Sequence, residues 1–153
     1  MSQEIFNKKT VSRLAVVQSV YQYEMNGRSQ TILELQTALK ELYKNYELME
    51  YAKEIKLSVQ YFNDLLQFTI ENIKDIDEVI SSYLSLDGEI KKLDFVVLAI
   101  LRSGICELKY FPEIPQKVVL NEYSDITSEM AKEQDIGFVN SILDKYSKER
   151  NPE

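Results

Sequence analysis

Residues 93–126 read LDFVVLAILRSGICELKYFPEIPQKVVLNEYSDI, and after a short polar interval residues 136–145 read IGFVNSILDK. In the first stretch Val96, Val97, Leu98, Ile100, Leu101, Ile105 and Leu108 occupy most of a helix circumference. A helix that is apolar nearly all round has no face to give to water, so it belongs at the centre of a small domain. Leu93-Asp94 opens it, with the aspartate as N-cap. Phe111-Pro112-Glu113-Ile114-Pro115 closes it, because proline removes a donor and restricts its predecessor. A second helix starts at Pro115 or Gln116, since proline is acceptable in a first turn. It carries Val118, Val119, Glu122 and Ile126 at near-helical spacing. A third runs from about Ile136, with Phe138, Val139, Ile142 and Leu143 on one side.

Upstream of this core the chain also reads as helices. Met1 to Asn7 is expected to be a loose end. A first helix starts near Lys8 or Lys9, reaches about Met25, and buries Val11, Leu14, Ala15, Val17, Val20 and Tyr21. Lys8, Lys9 and Arg13 gather at its start, where the macrodipole favours anions instead, and local conflicts of this kind are found at functional sites. Asn26-Gly27-Arg28-Ser29 ends it. Ile32, Leu35, Leu39 and Leu42 mark a second helix from about Thr31, and Tyr43, Tyr46 and Tyr51 surround its far end. A third helix is expected over Glu54 to Glu71 and a fourth over Ile73 to Leu84. Leu86-Asp87-Gly88 reads as a junction between residues 1–86, a helical half with the basic start, and residues 87–153, a second half, within one compact domain. The fold class is therefore all-α, with about seven helices whose apolar stripes must cover one another.

Composition narrows the function. The 153 residues include 4 glycines, 3 prolines, a single cysteine and no histidine, with a net charge of −7. A chain this long buries roughly 68–70% of its unfolded surface, enough for a sizeable core. No apolar run approaches the ~20 residues that cross a bilayer, and the N-terminus lacks a secretory pattern. Cys106 alone excludes an internal disulfide and fits a cytoplasmic protein, as a small core residue. Without histidine there is no Ser-His-Asp triad and no histidine-bound zinc. The glycines stand singly, so there is no phosphate-cradling loop. Carboxylate pairs such as Glu107 with Glu113 prove nothing by spacing alone. The reading is a binding protein with no cofactor or metal, not an enzyme. An acidic total opposes nucleic-acid binding in general, although a local basic patch reverses the field over part of a surface.

Several short matches in order carry a family resemblance. They are Leu93-Asp94, Ala99-Ile100-Leu101-Arg102, Glu107-Leu108, Pro115, Lys117-Val118-Val119-Leu120-Asn121-Glu122, and Phe138-Val139-Asn140-Ser141-Ile142-Leu143-Asp144-Lys145. The chain resembles the NusB family of bacterial transcription antitermination factors. That resemblance implies two packed helical halves. It also implies binding of boxA-type single-stranded RNA together with the small-subunit ribosomal protein NusE, within the transcription elongation complex, to suppress termination during rRNA transcription. It places RNA contacts at Lys8, Lys9, Arg13, Tyr21 and Phe138, with Lys117 as an auxiliary phosphate contact. Cations that position the backbone and rings that stack unpaired bases suit single-stranded RNA. The NusE side falls near the junction, on Tyr83, Lys91, Lys92, Phe95 and Val97.

The chain departs from the family pattern at identifiable positions. Thr10, Val11 and Ser12 interrupt a segment usually rich in arginine, whose planar fork lysine lacks. Ser128 and Glu129 stand where two lysines are common, and Ile136-Gly137 where a His-Lys pair is frequent. These changes imply weaker RNA binding or heavier reliance on the partner. Val97 and Leu98 replace charged residues on the partner side, implying a greasier interface or deeper burial. Arg13→Glu is expected to weaken RNA binding and flatten its salt dependence with helicity intact. Alternatives are a helical adaptor with little RNA binding and a homodimer that covers the RNA face. The domain also occurs appended to RNA-modifying methyltransferases, which the lack of a cofactor-binding βαβ segment disfavours here.

Overall fold

In the computed structural model, residues 7–49, 55–84 and 88–150 are described. They form α1 (Lys8–Met25), α2 (Ile32–Glu47), α3 (Val59–Glu71), α4 (Ile73–Ser82), a 3-10 turn (Ile90–Lys92), α5 (Phe95–Tyr110), α6 (Gln116–Met130) and α7 (Glu133–Arg150). No strand occurs among the described residues, and none of their helices is long and apolar enough to cross a membrane.

Local chemistry sets the helix ends. Asn7, expected in the loose end, caps α1 instead: its side chain accepts from the backbone N–H groups of Lys9 and Thr10. α1 stops where Gly27 and Arg28 take φ of 67° and 61°, a left-handed turn that is cheap for glycine. Thr31 and Glu34 form a reciprocal capping box on α2. Asp94 caps α5 by accepting from the Val96 N–H. α3 begins at Val59 rather than Glu54, after an extended stretch at 55–58. Here Ser12 Oγ exchanges hydrogen bonds with Ser58, at 2.9 and 3.0 Å, holding that backbone out of helix. Glu54 itself, with Tyr51, Leu86 and Asp87, lies outside the described residues. α7 begins at Glu133, three residues before the expected Ile136, because Asp135 accepts from the Lys132 N–H and nucleates an earlier turn.

α5 is the axle of the molecule: every residue from Val97 to Leu108 is buried. α1, α3, α4, α6 and α7 all pack on it. Gly104 permits a close approach of α7, since a Cβ there would sit 3.0 Å from a Leu143 methyl. One apolar cluster runs through α1 to α7 without a break, so α1 of the first half and α5 of the second share a core.

Candidate nucleic-acid interface

The start of α1 leaves Lys8 and Lys9 exposed, and no acidic residue stands in the first turn among the described residues. The Lys9 ammonium lies 5.1 Å from the centroid of the Tyr61 ring on α3, a cation–π contact that orients the chain without removing it from water. Tyr21, on the same helix, is half-buried. It stands 12 residues beyond Lys9, about 18 Å along the axis.

Arg13 does not join this surface. It is 3% exposed. Its Nε donates to both Glu107 carboxylate oxygens at 2.9 Å, and its Nη1 donates to Glu122 Oε1 at 2.7 Å. Glu107, fully buried on α5, also accepts from the hydroxyls of Tyr61 and Tyr123. Glu122 Oε1 accepts a further bond from Thr10 Oγ1 at 2.7 Å. Burial alone would lower the Arg13 pKa, but the Glu107 hydrogen bond and charge outweigh it and hold the value above the ordinary one. Burial, then the Glu107 charge, pushes the Tyr61 and Tyr123 phenols up, so both remain donors. The expected surface cation is therefore the centre of an internal polar knot joining α1, α3, α5 and α6. Its position explains the reversal: Arg13 shares its helix face with Val16 and Val20, which are fully buried.

A second knot repeats the design. Arg102, buried on α5, donates from Nε and Nη2 to Asp77 on α4, both at 2.8 Å, and from Nη1 to Glu24 on α1 at 2.7 Å. Arg28 adds a 3.0 Å bond to Glu24. Burial alone would raise the Glu24 pKa, but bonds from Arg28 and Arg102 bring it below the ordinary value. Sequence reasoning passed over Glu107, Arg102 and Asp77 as structural parts. For Arg102 and Glu107 the sequence carries a signal, because ionic residues inside the most apolar helix are almost never buried unless paired; Asp77, on α4, carries none.

Phe138 and Lys117 sit on α7 and α6. Phe138 is 37% exposed, so the ring is not sealed in the core, and Lys117 is exposed. The two helices run antiparallel over a groove of about 350 Å³ lined by Leu120, Asn121, Ser124, Asn140, Ser141 and Asp144. Gln116 meets Ser147 and Ser124 meets Asn140, which puts Lys117 and Phe138 at opposite ends of that groove. Thr10–Glu122 ties the start of α1 to the flank of α6.

On the junction side, Phe95 is 39% exposed and Lys91 and Lys92 are exposed, 3.6 and 4.0 Å from Glu89. Tyr83 is half-buried and its hydroxyl donates to Glu149. Burial first, then that bond, pushes its pKa up to about 12. For Val97 the deeper-burial reading holds and the partner-contact reading does not. It is 3% exposed, turned into the core with Leu98, and gives a partner nothing to touch.

The NusB family model matches residues 10–148. This chain belongs to the NusB family. The transcription antitermination protein NusB of Rickettsia bellii (strain OSU 85-389) is 38% identical over 149 residues, covering 97% of this chain and 96% of that protein. The Rickettsia felis protein of the same name is 38% identical over 153 residues, covering 99% and 98%. Among solved structures, T. maritima NusB superposes with a TM-score of 0.75 at 26% identity, covering 94% of this chain and 92% of that one. A NusB from a complex of NusB and NusE with dsRNA shares the fold, with a TM-score of 0.74 at 23% identity over 93% and 97%. The family match begins at Thr10, directly after Lys8 and Lys9. The motif residues Arg102, Glu107 and Glu122 belong to the two internal knots. In this NusB-family chain they hold helices together instead of facing a ligand.

Proposed function

We propose that this NusB-family chain is a transcription antitermination factor. It binds boxA-type single-stranded RNA jointly with NusE and acts in the transcription elongation complex to suppress termination on rRNA operons. The observation that carries the RNA part is the start of α1: two exposed lysines, Lys8 and Lys9, the second of them over the Tyr61 ring, in a protein of net charge −7. Lys8 and Lys9 hold phosphates, and Tyr21 and Phe138 offer ring faces to unpaired bases. Lys117, across the α6–α7 groove from Phe138, adds a phosphate contact. Phe95, Lys91, Lys92 and Tyr83 form the side that meets NusE. The protein acts by binding, not by catalysis, in the cytoplasm. Burial of Arg13 removes one cation from the RNA side, which favours RNA binding that depends on NusE over binding by the chain alone.

Fluorescence anisotropy with a labelled boxA-type RNA, with and without NusE, tests this. Tight binding only with NusE is expected. In a Lys8→Gln, Lys9→Gln variant the slope of log affinity against log salt should shrink by about 0.7 for each phosphate that is no longer neutralised. RNA binding that is absent in both conditions, beside intact NusE binding, leaves an adaptor. A dimer that excludes RNA, seen by light scattering across concentrations, leaves the homodimer reading.

A further inference from the structure

A row of rings leads away from Lys9. From Tyr61, over which the Lys9 ammonium sits, the next ring is Phe111 at 5.4 Å between centroids. Phe68 follows at 5.7 Å. Phe68 then stacks on Tyr110, at 5.4 Å with only 16° between planes. The row ends under a second cation, the Lys109 ammonium, 5.3 Å from the Tyr110 centroid. Tyr61 and Phe111 are buried and serve the core. Phe68 is different: it lies at the rim of the α3 apolar face and is 41% exposed, and Tyr110 beside it is half-buried. A stacked, partly exposed aromatic pair with a cation over one of its rings, at the end of a ring row that starts under Lys9, is the surface that unpaired nucleobases recognise, because every base offers a π-face and its phosphate seeks an ammonium. Arg150, whose Nη2 donates to the Lys109 carbonyl at 3.4 Å, adds charge to the same end. Against these stand Asp64 and Glu71, one turn either side of Phe68 on α3. Binding here must therefore rest mainly on stacking rather than on charge.

We infer that Phe68 and Tyr110, with Lys9 and Lys109, form a second stacking platform for single-stranded RNA that carries the strand from the start of α1 onto α3 and α5. This rests on the proposal that the α1 start binds RNA, and it assigns that site an extension able to compensate for the buried Arg13. The test compares wild type, Phe68→Leu, Lys109→Gln and Lys9→Gln, each verified as folded by circular dichroism and assayed with NusE. The probes are a boxA-type RNA and the same RNA extended at either end by unpaired uridines. Phe68→Leu keeps the apolar packing and removes the π-face. It should lose about fivefold or more in affinity for an extended RNA, in line with the alanine-scan value of one stacked base. It should match wild type on the unextended RNA and keep its salt slope. Lys109→Gln should lower the slope by about 0.7 on the extended RNA alone. Lys9→Gln should weaken both. If Phe68→Leu equals wild type on every RNA while Lys9→Gln weakens both, the platform is refuted and the α1 site stands. Loss of NusE binding in Phe68→Leu would make the pair a protein contact and refute it too. No RNA binding by wild type with NusE present would overturn both readings together.

Discussion

Replacing Arg13 by methionine separates an internal role from an RNA-contacting one. The substitution keeps an unbranched apolar stem in α1 and deletes the guanidinium. Glu107 would then be fully buried with two phenol donors but no cation, and Glu122 would keep only Thr10. Removing one member of a buried ion pair costs about 3–5 kcal/mol, because the remaining charge keeps its desolvation penalty. The low end applies if Glu122, which is partly exposed, rotates to water, and the high end if Glu107 stays ionised in place. With a domain stability of about 5–15 kcal/mol and a urea m-value of about 1–3 kcal/mol/M, the midpoint should fall by about 2 M. Urea unfolding followed by far-ultraviolet circular dichroism measures it. Adding Glu107→Gln to Arg13→Met removes the stranded charge and should restore part of the loss, so the two changes are strongly non-additive. Folded Arg13→Met at low temperature should keep the wild-type salt slope for RNA. A stability loss under about 1 kcal/mol, with a smaller salt slope, would show that the guanidinium faces RNA and would refute the internal knot. The same geometry overturns the expectation that Arg13→Glu leaves helicity intact. It would set a second carboxylate against fully buried Glu107, beside partly exposed Glu122, and unfold the protein.

Three further outcomes follow from the described geometry. Glu24 has a folded-state pKa below its ordinary value of about 4.3. The stability it contributes is complete above that ordinary value and drains away as pH falls through the lower, folded value. Glu24→Gln should therefore flatten the acid limb of stability below about pH 4, measured by thermal melts at stepped pH. Phe138→Ala should cost clearly less than the roughly 3–5 kcal/mol of a fully buried ring because the side chain is part exposed, yet weaken RNA binding by about 1–3 kcal/mol if a base stacks on it. A full core-sized loss in the melt would return Phe138 to packing. Cys106 is buried, and burial pushes its thiol up to about 12. It should stay unreactive to a thiol reagent in the native state up to strongly alkaline pH, and react at once in denaturant.

Helix content and order were legible in the sequence because apolar periodicity and end signals are local. Asp94, the Asn26-Gly27 break and the Phe111–Pro115 turn each act within a few residues, and the dense run from Val96 to Leu108 allowed only a central helix. The motif spacing was local enough to point to the NusB family. The direction in which a charged side chain faces is not local. Lys9 and Arg13 lie one turn apart and carry the same charge, yet one reaches water and the other is buried. What separates them is Glu107, 94 positions from Arg13, which only the packing of α5 against α1 brings within reach. Val97 turned inward for the same reason, since the neighbours of an all-round apolar helix decide which side is covered. The ring row from Tyr61 through Phe111 and Phe68 to Tyr110 draws on two helices and the turn after α5, so no window of sequence contains it.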